Sequence, residues 1–269
     1  MSSVLKAPLP DRLAIAVSFF YVEGRLTYLG KVGSEFRGLA HHVSVFLVTN
    51  TSDVKHHQLI RETLTGVHVE IIVPEWLGHP YLLTWVHREV FRREAEKGVW
   101  SHFLYLEDDL HVTTENVSYW MRAREELRAH GLIPSFLRYE VRPDGSRVST
   151  DVTVSYGLNQ LPHLMVNGST YVNFKQPYQG LYLMDDELMR EFISSPAFSP
   201  DFGKWNIREK AAQGLTFYRV PKNCFSRNFV GCLPDGNVMK HALVHHLPNN
   251  YAENEHSKFG KLPLNRILV

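Results

Sequence analysis

The sequence predicts an α/β fold with a mixed, mostly parallel central sheet flanked by helices, and three observations support this fold class. Short apolar segments rich in β-forming residues alternate with helical patterns in the amino-terminal part of the 269-residue chain. Such alternation is typical of strand–helix–strand crossovers, which build parallel sheets. One strand runs directly into three carboxylates, Glu107, Asp108 and Asp109, and beyond them the segments become shorter and turns more frequent.

Four buried strands are predicted before the carboxylates. Residues 13–21 form an apolar run rich in β-forming residues, and residues 43–48 repeat this pattern before a polar turn. Residues 67–73 are a third run, which Pro74 stops because proline cannot donate to a strand ladder. Residues 102–106 form the fourth strand, and this strand delivers the three acids.

Helices are predicted between these strands and after them. The helical patterns before the fourth strand cover residues 25–39, 56–64 and 81–97. Gly98 is expected to end the third of them, since glycine commonly follows a helix. After the carboxylates, Thr113 or Thr114 is expected to cap a helix that runs to about residue 130, where Gly131 ends it.

The carboxyl-terminal part predicts a smaller half of mixed sheet and long loops. Turn signals occur at residues 143–145 and at residues 167–168, and no repeat or clean linker interrupts the chain. We therefore expect one domain over residues 1–269, made of two fused halves that meet near residue 112.

Glu107, Asp108 and Asp109 are the strongest candidates for a functional site. Three adjacent negative charges repel one another unless water or a cation screens them. In open parallel sheets, ligands bind at the carboxyl ends of the strands, which is where these acids are predicted to lie. Oxygen ligands at such a place indicate a seat for a hard metal ion and an anionic partner such as a diphosphate.

Composition excludes several classes of partner. The chain has 29 Lys and Arg against 28 Asp and Glu, so no global charge favours binding to nucleic acid. No apolar run has the length of a transmembrane segment, and the polar start does not resemble a signal peptide. We expect a cytoplasmic protein, with a peripheral position at the inner face of a membrane as an alternative. Cys224 and Cys232 are expected to be buried thiols rather than a disulfide.

The order of these elements resembles the glycosyltransferases of the GT-A fold, which have a Rossmann-like half that binds a sugar nucleotide. In that superfamily the strand typically ends in an Asp-x-Asp motif, which stands here as Glu107-Asp108-Asp109. The resemblance implies that Asp109 binds a divalent metal, Mn²⁺ or Mg²⁺, while Glu107 and Asp108 face the ribose or metal-bound water. It also implies that residues 1–112 bind the nucleotide sugar and that residues 113–269 bind the acceptor. Because the first position is Glu, the resemblance leaves metal dependence open.

Two later stretches extend the resemblance. The first runs from Tyr178 and Gln179 into a strand, and there Gly180 would let the backbone approach the donor sugar. The acids that follow, residues 185–187, are expected to be first-turn helix residues. The second stretch, residues 202–210, is similar to an aromatic–glycine loop that opens a helix. The resemblance implies that Glu209, or alternatively Asp201, is the catalytic base that deprotonates the acceptor.

The carboxyl-terminal stretch supplies further candidates. Many enzymes of this superfamily complete the metal site with a histidine near the carboxyl terminus, and histidine is a suitable ligand for manganese. His245, His246 and His256 are the candidates here, and the sequence does not choose among them. By the same resemblance, Arg227, Lys258 and Lys261 would neutralise the leaving phosphate.

Aromatic residues at the end of the first strand are candidates for contact with the nucleotide base. Phe19, Phe20 and Tyr21 stand at this place, although the core is the expected location for at least two of them. Arg88 shares a helix face with Trp85 and is a further candidate for the nucleotide, with a solvated helix arginine as the alternative.

These features predict an enzyme that moves a sugar from a nucleoside-diphosphate sugar, with UDP favoured, to a hydroxyl of a glycan or glycolipid. An inverting reaction is slightly favoured, and polysaccharide biosynthesis is the expected setting. Two other readings stay open at this point. One is a metal-dependent phosphoesterase or nucleotidyltransferase, which also places acids at strand ends. The other is a nucleotide-sugar-binding protein that has lost catalysis.

Overall fold

The computed structural model describes residues 8–75, 78–175 and 180–269. The strands in these residues are β1 (Arg12–Phe19), β2 (His42–Thr49), β3 (His68–Ile72), β4 (His102–Glu107), β5 (Leu110–His111), β6 (Ile133–Pro134), β7 (Leu137–Val141), β8 (Arg147–Ser149), β9 (His163–Val166), β10 (Ser169–Val172), β11 (Leu181–Asp185), β12 (Asn228–Cys232), β13 (Leu243–His246) and β14 (Leu262–Pro263). The α-helices are α1 (Leu26–Phe36), α2 (Val54–Thr63), α3 (Val86–Glu96), α4 (Thr114–Leu127), α5 (Asp186–Ser194) and α6 (Ile207–Ala211).

The central sheet has the strand order β3-β2-β1-β4-β11. Strands β1 to β4 are parallel to their neighbours, and β11 joins the edge of β4 in the antiparallel direction. The buried strand β1 lies in the middle, where its apolar side chains pack on both faces, as parallel sheets require. The predicted α/β class, with a mixed and mostly parallel sheet flanked by helices, is confirmed.

Capping residues and a glycine set helix boundaries as expected, and one predicted helix differs from the structure. Asp53 caps α2 by accepting from the backbone N–H of Lys55 at 2.7 Å. Thr113 caps α4 in a capping box, and Gly131 follows this helix region at φ +68. The predicted helix over residues 81–97 is instead divided, because a 3₁₀ segment, Pro80–Trp85, precedes α3.

Two further sheets form the carboxyl-terminal half. One has the order β6-β12-β10-β9, and the other has the order β14-β8-β7-β13-β5. In the second sheet β5, which follows the acids directly, pairs with β13 in antiparallel register, so that His246 lies opposite Leu110. The chain after the acids is thus joined to a strand more than a hundred residues later in sequence.

A continuous cluster of buried apolar side chains draws on both halves of the chain, from Leu13 in β1 to Leu268 near the carboxyl terminus. Trp120 on α4 is one of its largest members and donates its indole N–H to the carbonyl of Pro134 at 3.1 Å. Cys224 and Cys232 are free thiols. None of the helices in the described residues is long and apolar enough to cross a lipid bilayer.

The acids at residues 185–187 begin α5, but only Asp186 and Glu187 lie in its first turn as predicted, since Asp185 ends β11 and caps the helix. Asp185 is the N-cap of α5 and accepts from the backbone N–H of Leu188 at 2.8 Å. Its second oxygen accepts from Nε of the buried Arg124 at 2.7 Å. Asp186 and Glu187 lie in the first turn, where negative charge complements the helix dipole.

We therefore expect Asp185→Ala to lower the free energy of unfolding by roughly 2–4 kcal/mol, because it removes a cap and a partner of a buried guanidinium. Denaturant unfolding measures this change. The matched control is Asp186→Ala, whose partner Arg190 is exposed, with an expected loss of less than about 1 kcal/mol. Equal losses in the two variants would contradict the assigned role of Asp185.

Candidate active site

The three acids lie at the carboxyl edge of the central sheet. Glu107 is the last residue of β4, where it lies beside Ser18 of β1 and donates its backbone N–H to the carbonyl of Gly180 at 3.2 Å. Asp108 and Asp109 follow in the turn to β5 and are only 4% and 6% exposed. The strand ends therefore hold carboxylates that are largely withdrawn from water.

Gly180 lies against these acids. It has φ +67, and a Cβ at this position would lie 3.2 Å from Oε2 of Glu107 and 2.9 Å from a methyl group of Leu110. Only glycine combines this backbone conformation with so close an approach. Tyr178 and Gln179, which precede it in the predicted glycine strand, lie outside the described residues.

Arg25 neutralises part of the acidic cluster. Its guanidinium forms two hydrogen bonds with Asp108, at 2.8 Å from Nε and 2.6 Å from Nη2, and Nη2 also lies 2.9 Å from Oδ2 of Asp109. Burial raises the pKa of Asp108 to about 7, with the bond to Arg25 opposing that rise and the charge of Asp109 adding to it. Burial acts to lower the pKa of Arg25, but its two carboxylate partners outweigh burial and raise it.

His246 reaches the same acids from β13. Its Nε2 lies 3.8 Å from Oδ2 of Asp109, and its Nδ1 lies 2.6 Å from Oε1 of Glu140. The backbone N–H of Leu247 donates to the carbonyl of Asp109 at 3.0 Å, which fixes the segment after β13 beside the segment before β5. Oδ1 of Asp109 is buried and lacks a hydrogen-bond partner among the described residues.

Asp109 and His246 fit a divalent cation that a ligand would complete. The 3.8 Å between their facing atoms is longer than a hydrogen bond, and the unpartnered Oδ1 offers a further oxygen. No group of three or more His, Cys, Asp or Glu in the described ranges could by itself hold a metal ion. Mg²⁺ and similar ions commonly bind one or two carboxylates together with substrate phosphates, which suits a site with few protein ligands.

Two cavities meet at this edge of the sheet. The acid cavity has a volume of about 410 Å³. Its lining includes Ser18, Phe20, Arg25, Tyr81, Glu107, Asp108, Asp109, Arg138, Arg208, His246 and Tyr251. The Glu209 cavity, of about 470 Å³, is lined by Arg138, Thr150, Asp151, Trp205, Asn206, Arg208, Glu209, Tyr251 and Phe259. Because Arg138, Arg208 and Tyr251 line both, the two cavities form one cleft.

The Glu209 cavity combines carboxylates with aromatic rings. Arg138 holds Asp151 in a buried ion pair, with Nη2 2.8 Å from Oδ1, and this arginine opposes the rise that burial gives the pKa of Asp151. Glu209 lies 3.6 Å from Nη2 of Arg208 and is partly exposed to the cavity. Trp205 has φ +74, a conformation that is unfavourable for a bulky residue and that tends to occur at functional sites.

The structure brings together several of the predicted site residues. Glu107, Asp108, Asp109 and His246 line the acid cavity, Gly180 packs against Glu107, and Glu209 lines the adjoining cavity. The carboxyl ends of β4 and β13 and the start of α6 supply the main side chains. His246, rather than His245 or His256, is the histidine that faces Asp109.

The prediction for the aromatic residues at the end of β1 needs correction, because successive side chains point to opposite faces of the strand. Phe19 is fully buried in the core, so it is not available to a nucleotide. Phe20 points the other way, is 44% exposed and lines the acid cavity. Tyr21 lies outside the lining and stacks on His56 at a centroid distance of 3.9 Å.

The prediction that Arg88 contacts the nucleotide is also wrong, since this residue is buried, with only 3% of its surface exposed. Its guanidinium lies 4.1 Å from the centroid of Trp85 and donates to the carbonyls of Ala197 and Lys210, at 3.0 and 2.8 Å. Burial lowers its pKa to about 10. Arg88 therefore anchors the chain around α6, which carries Glu209, instead of contacting the nucleotide.

The remaining predicted residues lie away from the cleft linings. Arg227 is buried and pairs with Glu191 at 2.9 Å, so its charge is already used. His245 faces the opposite side of β13 and stacks on Tyr139, and burial lowers its pKa to about 4. Exposed positions outside both linings are occupied by Asp201, His256 and Lys258. Lys261 is also outside both linings, and its Nζ donates to the carbonyls of Tyr251 and Ala252.

Sequence reasoning missed Arg25, Arg138, Glu140, Asp151 and Arg208. Each is an ordinary polar residue in its local pattern. The contacts of Arg25, Arg138, Glu140 and Asp151 span 13 to more than 100 positions in sequence, and Arg208 lies over the ring of Tyr81, more than 100 positions earlier. For Arg25 the sequence offers one local signal of a role in the site, since this residue belongs to the glycine-containing turn, residues 22–25, that follows the first strand.

No protein-family model matches this sequence, and no curated protein matches it. Solved structures that match include a crystal structure of S. aureus TarS, with 12% sequence identity and a TM-score of 0.39. The match covers 67% of this chain and 29% of that chain, so this chain spans less than a third of the length of the protein it resembles. A similarity at this level carries no argument about function. Any argument about function rests on the residues of the site.

The contact between Arg25 and the acids gives a stability prediction. Arg25→Met leaves the buried Asp108 without its guanidinium partner, and we expect a loss of about 2 kcal/mol in the free energy of unfolding, moderated because Arg25 is a third exposed. Denaturant unfolding measures it. Arg92→Met, which breaks an exposed pair with Glu89, is the control and should change stability by less than about 0.5 kcal/mol. A small loss for Arg25→Met would show that Asp108 does not depend on this partner.

Proposed function

We propose that this chain is a glycosyltransferase that moves a sugar from a nucleoside-diphosphate sugar, with UDP favoured, to a hydroxyl of a glycan or glycolipid. The observation that carries the proposal is the single cleft in which acids and a histidine lie at one end and Glu209 at the other. A transfer between two substrates requires two adjoining binding sites with different chemistry, and the two cavities meet this requirement.

The acid cavity suits the donor. Its carboxylates need a cation, and a diphosphate supplies the anionic oxygens that complete the coordination of such a cation. The aromatic rings of Phe20 and Tyr81, both partly exposed, give the cavity apolar walls for a base or ribose. Arg208 lies where the two cavities meet and provides positive charge for the leaving phosphate, whereas the charge of Arg138 is matched by Asp151.

Asp109 and His246 would hold Mn²⁺ or Mg²⁺ in this cavity. When bound, such an ion supplies Lewis-acid stabilisation of the charge that develops on the departing diphosphate. The role of the chain is to fix the two ligands. The pairing of β5 with β13 holds Asp109 beside His246, and Glu140 orients the imidazole.

The Glu209 cavity suits the acceptor. Trp205 and Phe259 offer apolar faces, while Glu209 accepts hydrogen bonds from hydroxyl groups, a combination that fits a sugar. Glu209 would take the proton of the acceptor hydroxyl as it attacks the anomeric carbon. A separate base in the acceptor cavity favours an inverting reaction, and polysaccharide biosynthesis in the cytoplasm is the setting we propose.

Calorimetry tests the donor class. We expect UDP with Mn²⁺ to bind measurably, and UDP with EDTA to bind at least about tenfold more weakly, because the acids repel a free diphosphate. A panel of nucleotide sugars, screened by thermal shift and by hydrolysis, then identifies the sugar. Failure of every nucleotide and nucleotide sugar to bind would contradict the proposal.

The role of Glu209 is tested by paired variants. Glu209→Gln is expected to lower the transfer rate about 10²–10⁴-fold, as is usual for loss of a general base, while donor binding stays within a few fold. Asp201→Asn is the control, since Asp201 is exposed outside both cavity linings, and it should leave transfer unchanged. Retained donor binding without transfer in the unmodified protein would instead indicate a binding protein that has lost catalysis.

A further inference from the structure

Glu140 is a fully buried carboxylate on β7 that contacts two separate parts of the cleft. We propose that Glu140 is a positioning residue that couples cation binding at Asp109 and His246 to the placement of Tyr251, whose side chain lines both cavities. This inference rests on the proposed function, since it concerns the same cation site, and it assigns a coupling between the donor and acceptor ends of the cleft.

The first contact of Glu140 fixes the histidine. Nδ1 of His246 lies 2.6 Å from Oε1 of Glu140. A carboxylate oxygen accepts, so Nδ1 is the donating nitrogen, and Nε2 is the nitrogen left to bind a metal. Nε2 is the atom that faces Oδ2 of Asp109 at 3.8 Å. Glu140 therefore selects both the tautomer and the ring orientation that a metal ligand needs.

The second contact fixes the wall of the cleft. Oε2 of Glu140 accepts from the backbone N–H of Tyr251 at 3.0 Å and from that of Ala252 at 2.5 Å. The ring centroid of Tyr251 lies 5.7 Å from that of His246 and 5.7 Å from that of Phe259, and Tyr251 lines both cavities. One carboxylate thus holds the histidine on Oε1 and the peptide of Tyr251 and Ala252 chiefly on Oε2, with a longer contact of 3.3 Å from the Tyr251 N–H to Oε1.

The loop that carries Tyr251 has a second attachment that is independent of Glu140. Nζ of Lys261 lies 3.3 Å from the carbonyls of both Tyr251 and Ala252. Gly260, at φ +70, packs so closely on this peptide that a Cβ would lie 2.5 Å from the carbonyl carbon of Tyr251. Loosening the loop through Lys261 therefore leaves His246 and its bond to Glu140 in place.

Coupling follows from the shared carboxylate. A cation on Nε2 makes the Nδ1–H group a stronger donor and draws the negative charge of Glu140 toward the histidine, which favours one position of the carboxylate. A carboxylate held in one position also holds the peptide of Tyr251 and Ala252 in one position. By linkage, whatever orders this peptide must strengthen cation binding by the same factor.

The test uses the full chain and Mn²⁺ alone as the probe. Free Mn²⁺ is titrated by electron paramagnetic resonance, and hydrogen exchange is followed in the peptide that contains Tyr251 and Ala252. In the unmodified protein, Mn²⁺ should slow exchange of these amides. Glu140→Gln should weaken Mn²⁺ binding about tenfold or more, the usual effect of losing the partner of a ligating histidine, and should abolish the Mn²⁺-dependent protection.

Two further variants separate positioning from general damage. Lys261→Met should speed exchange at Tyr251 and, by the same linkage, weaken Mn²⁺ binding, but by less than Glu140→Gln does, because His246 keeps its bond to Glu140. In a His246→Ala background, Glu140→Gln should cause no further loss of Mn²⁺ affinity, because the two residues act as one unit. If Glu140→Gln does not fold, His246→Ala alone still tests the coupling, since Mn²⁺ should then no longer protect the Tyr251 amide.

Three results would overturn the inference. They are an unchanged Mn²⁺ affinity in Glu140→Gln, an equal loss of affinity with and without His246, and an unmodified protein in which Mn²⁺ either does not bind or leaves the Tyr251 amide unprotected. The test of this inference can fail while the proposed function holds, and the proposed function can fail while the inference holds. A chain that transfers sugar equally well in EDTA would keep the function and lose the coupling, whereas one with the Mn²⁺ coupling but no nucleotide-sugar binding would do the reverse.

Discussion

The antiparallel pairing of β5 with β13 is the constraint on which the candidate site depends. β5 has only two residues, yet it begins one residue after Asp109 and lies opposite the histidine pair of β13. The bond from the N–H of Leu247 to the carbonyl of Asp109 continues this pairing past the end of the strand. A backbone ladder therefore sets the distance between Asp109 and His246 before any side chain contributes, and a rigid frame of this kind is what a metal or phosphate site requires.

The charges of the cleft are arranged around that frame. Three adjacent carboxylates would destabilise a buried edge on their own, and Arg25 offsets part of their charge from the segment after β1. Arg138 does the same for Asp151 in the adjoining cavity. Asp109 still has a buried oxygen without a partner among the described residues, so the compensation inside the chain is incomplete at the place where an outside cation would bind.

The two ends of the cleft are also joined through its walls. The 3₁₀ segment Pro80–Trp85 lines the acid cavity, and its last residue, Trp85, donates its indole N–H to the carbonyl of Ile207 at 2.7 Å. Arg88 places its guanidinium on the carbonyls at the end of α6, where the helix dipole is negative. A buried arginine paired with carbonyls rather than a carboxylate is costly, and Nε of Arg88 has no hydrogen-bond partner among the described residues. Its two terminal nitrogens fix the short helix that carries Glu209.

The sequence by itself determined the central sheet, the capped helices and the delivery of three carboxylates at a strand end, because those features follow from local periodicity, capping residues and the crossover rule. It also determined that the acids at residues 185–187 begin a helix. It did not decide which of Phe19 and Phe20 is exposed or which of His245 and His246 faces the acids. Successive side chains of a strand point to opposite faces, so a shift of one residue in pairing exchanges them. The roles of Arg25, Glu140 and Arg88 were likewise decided by the tertiary structure alone, since each depends on partners that only long-range strand pairing and packing bring within hydrogen-bond distance.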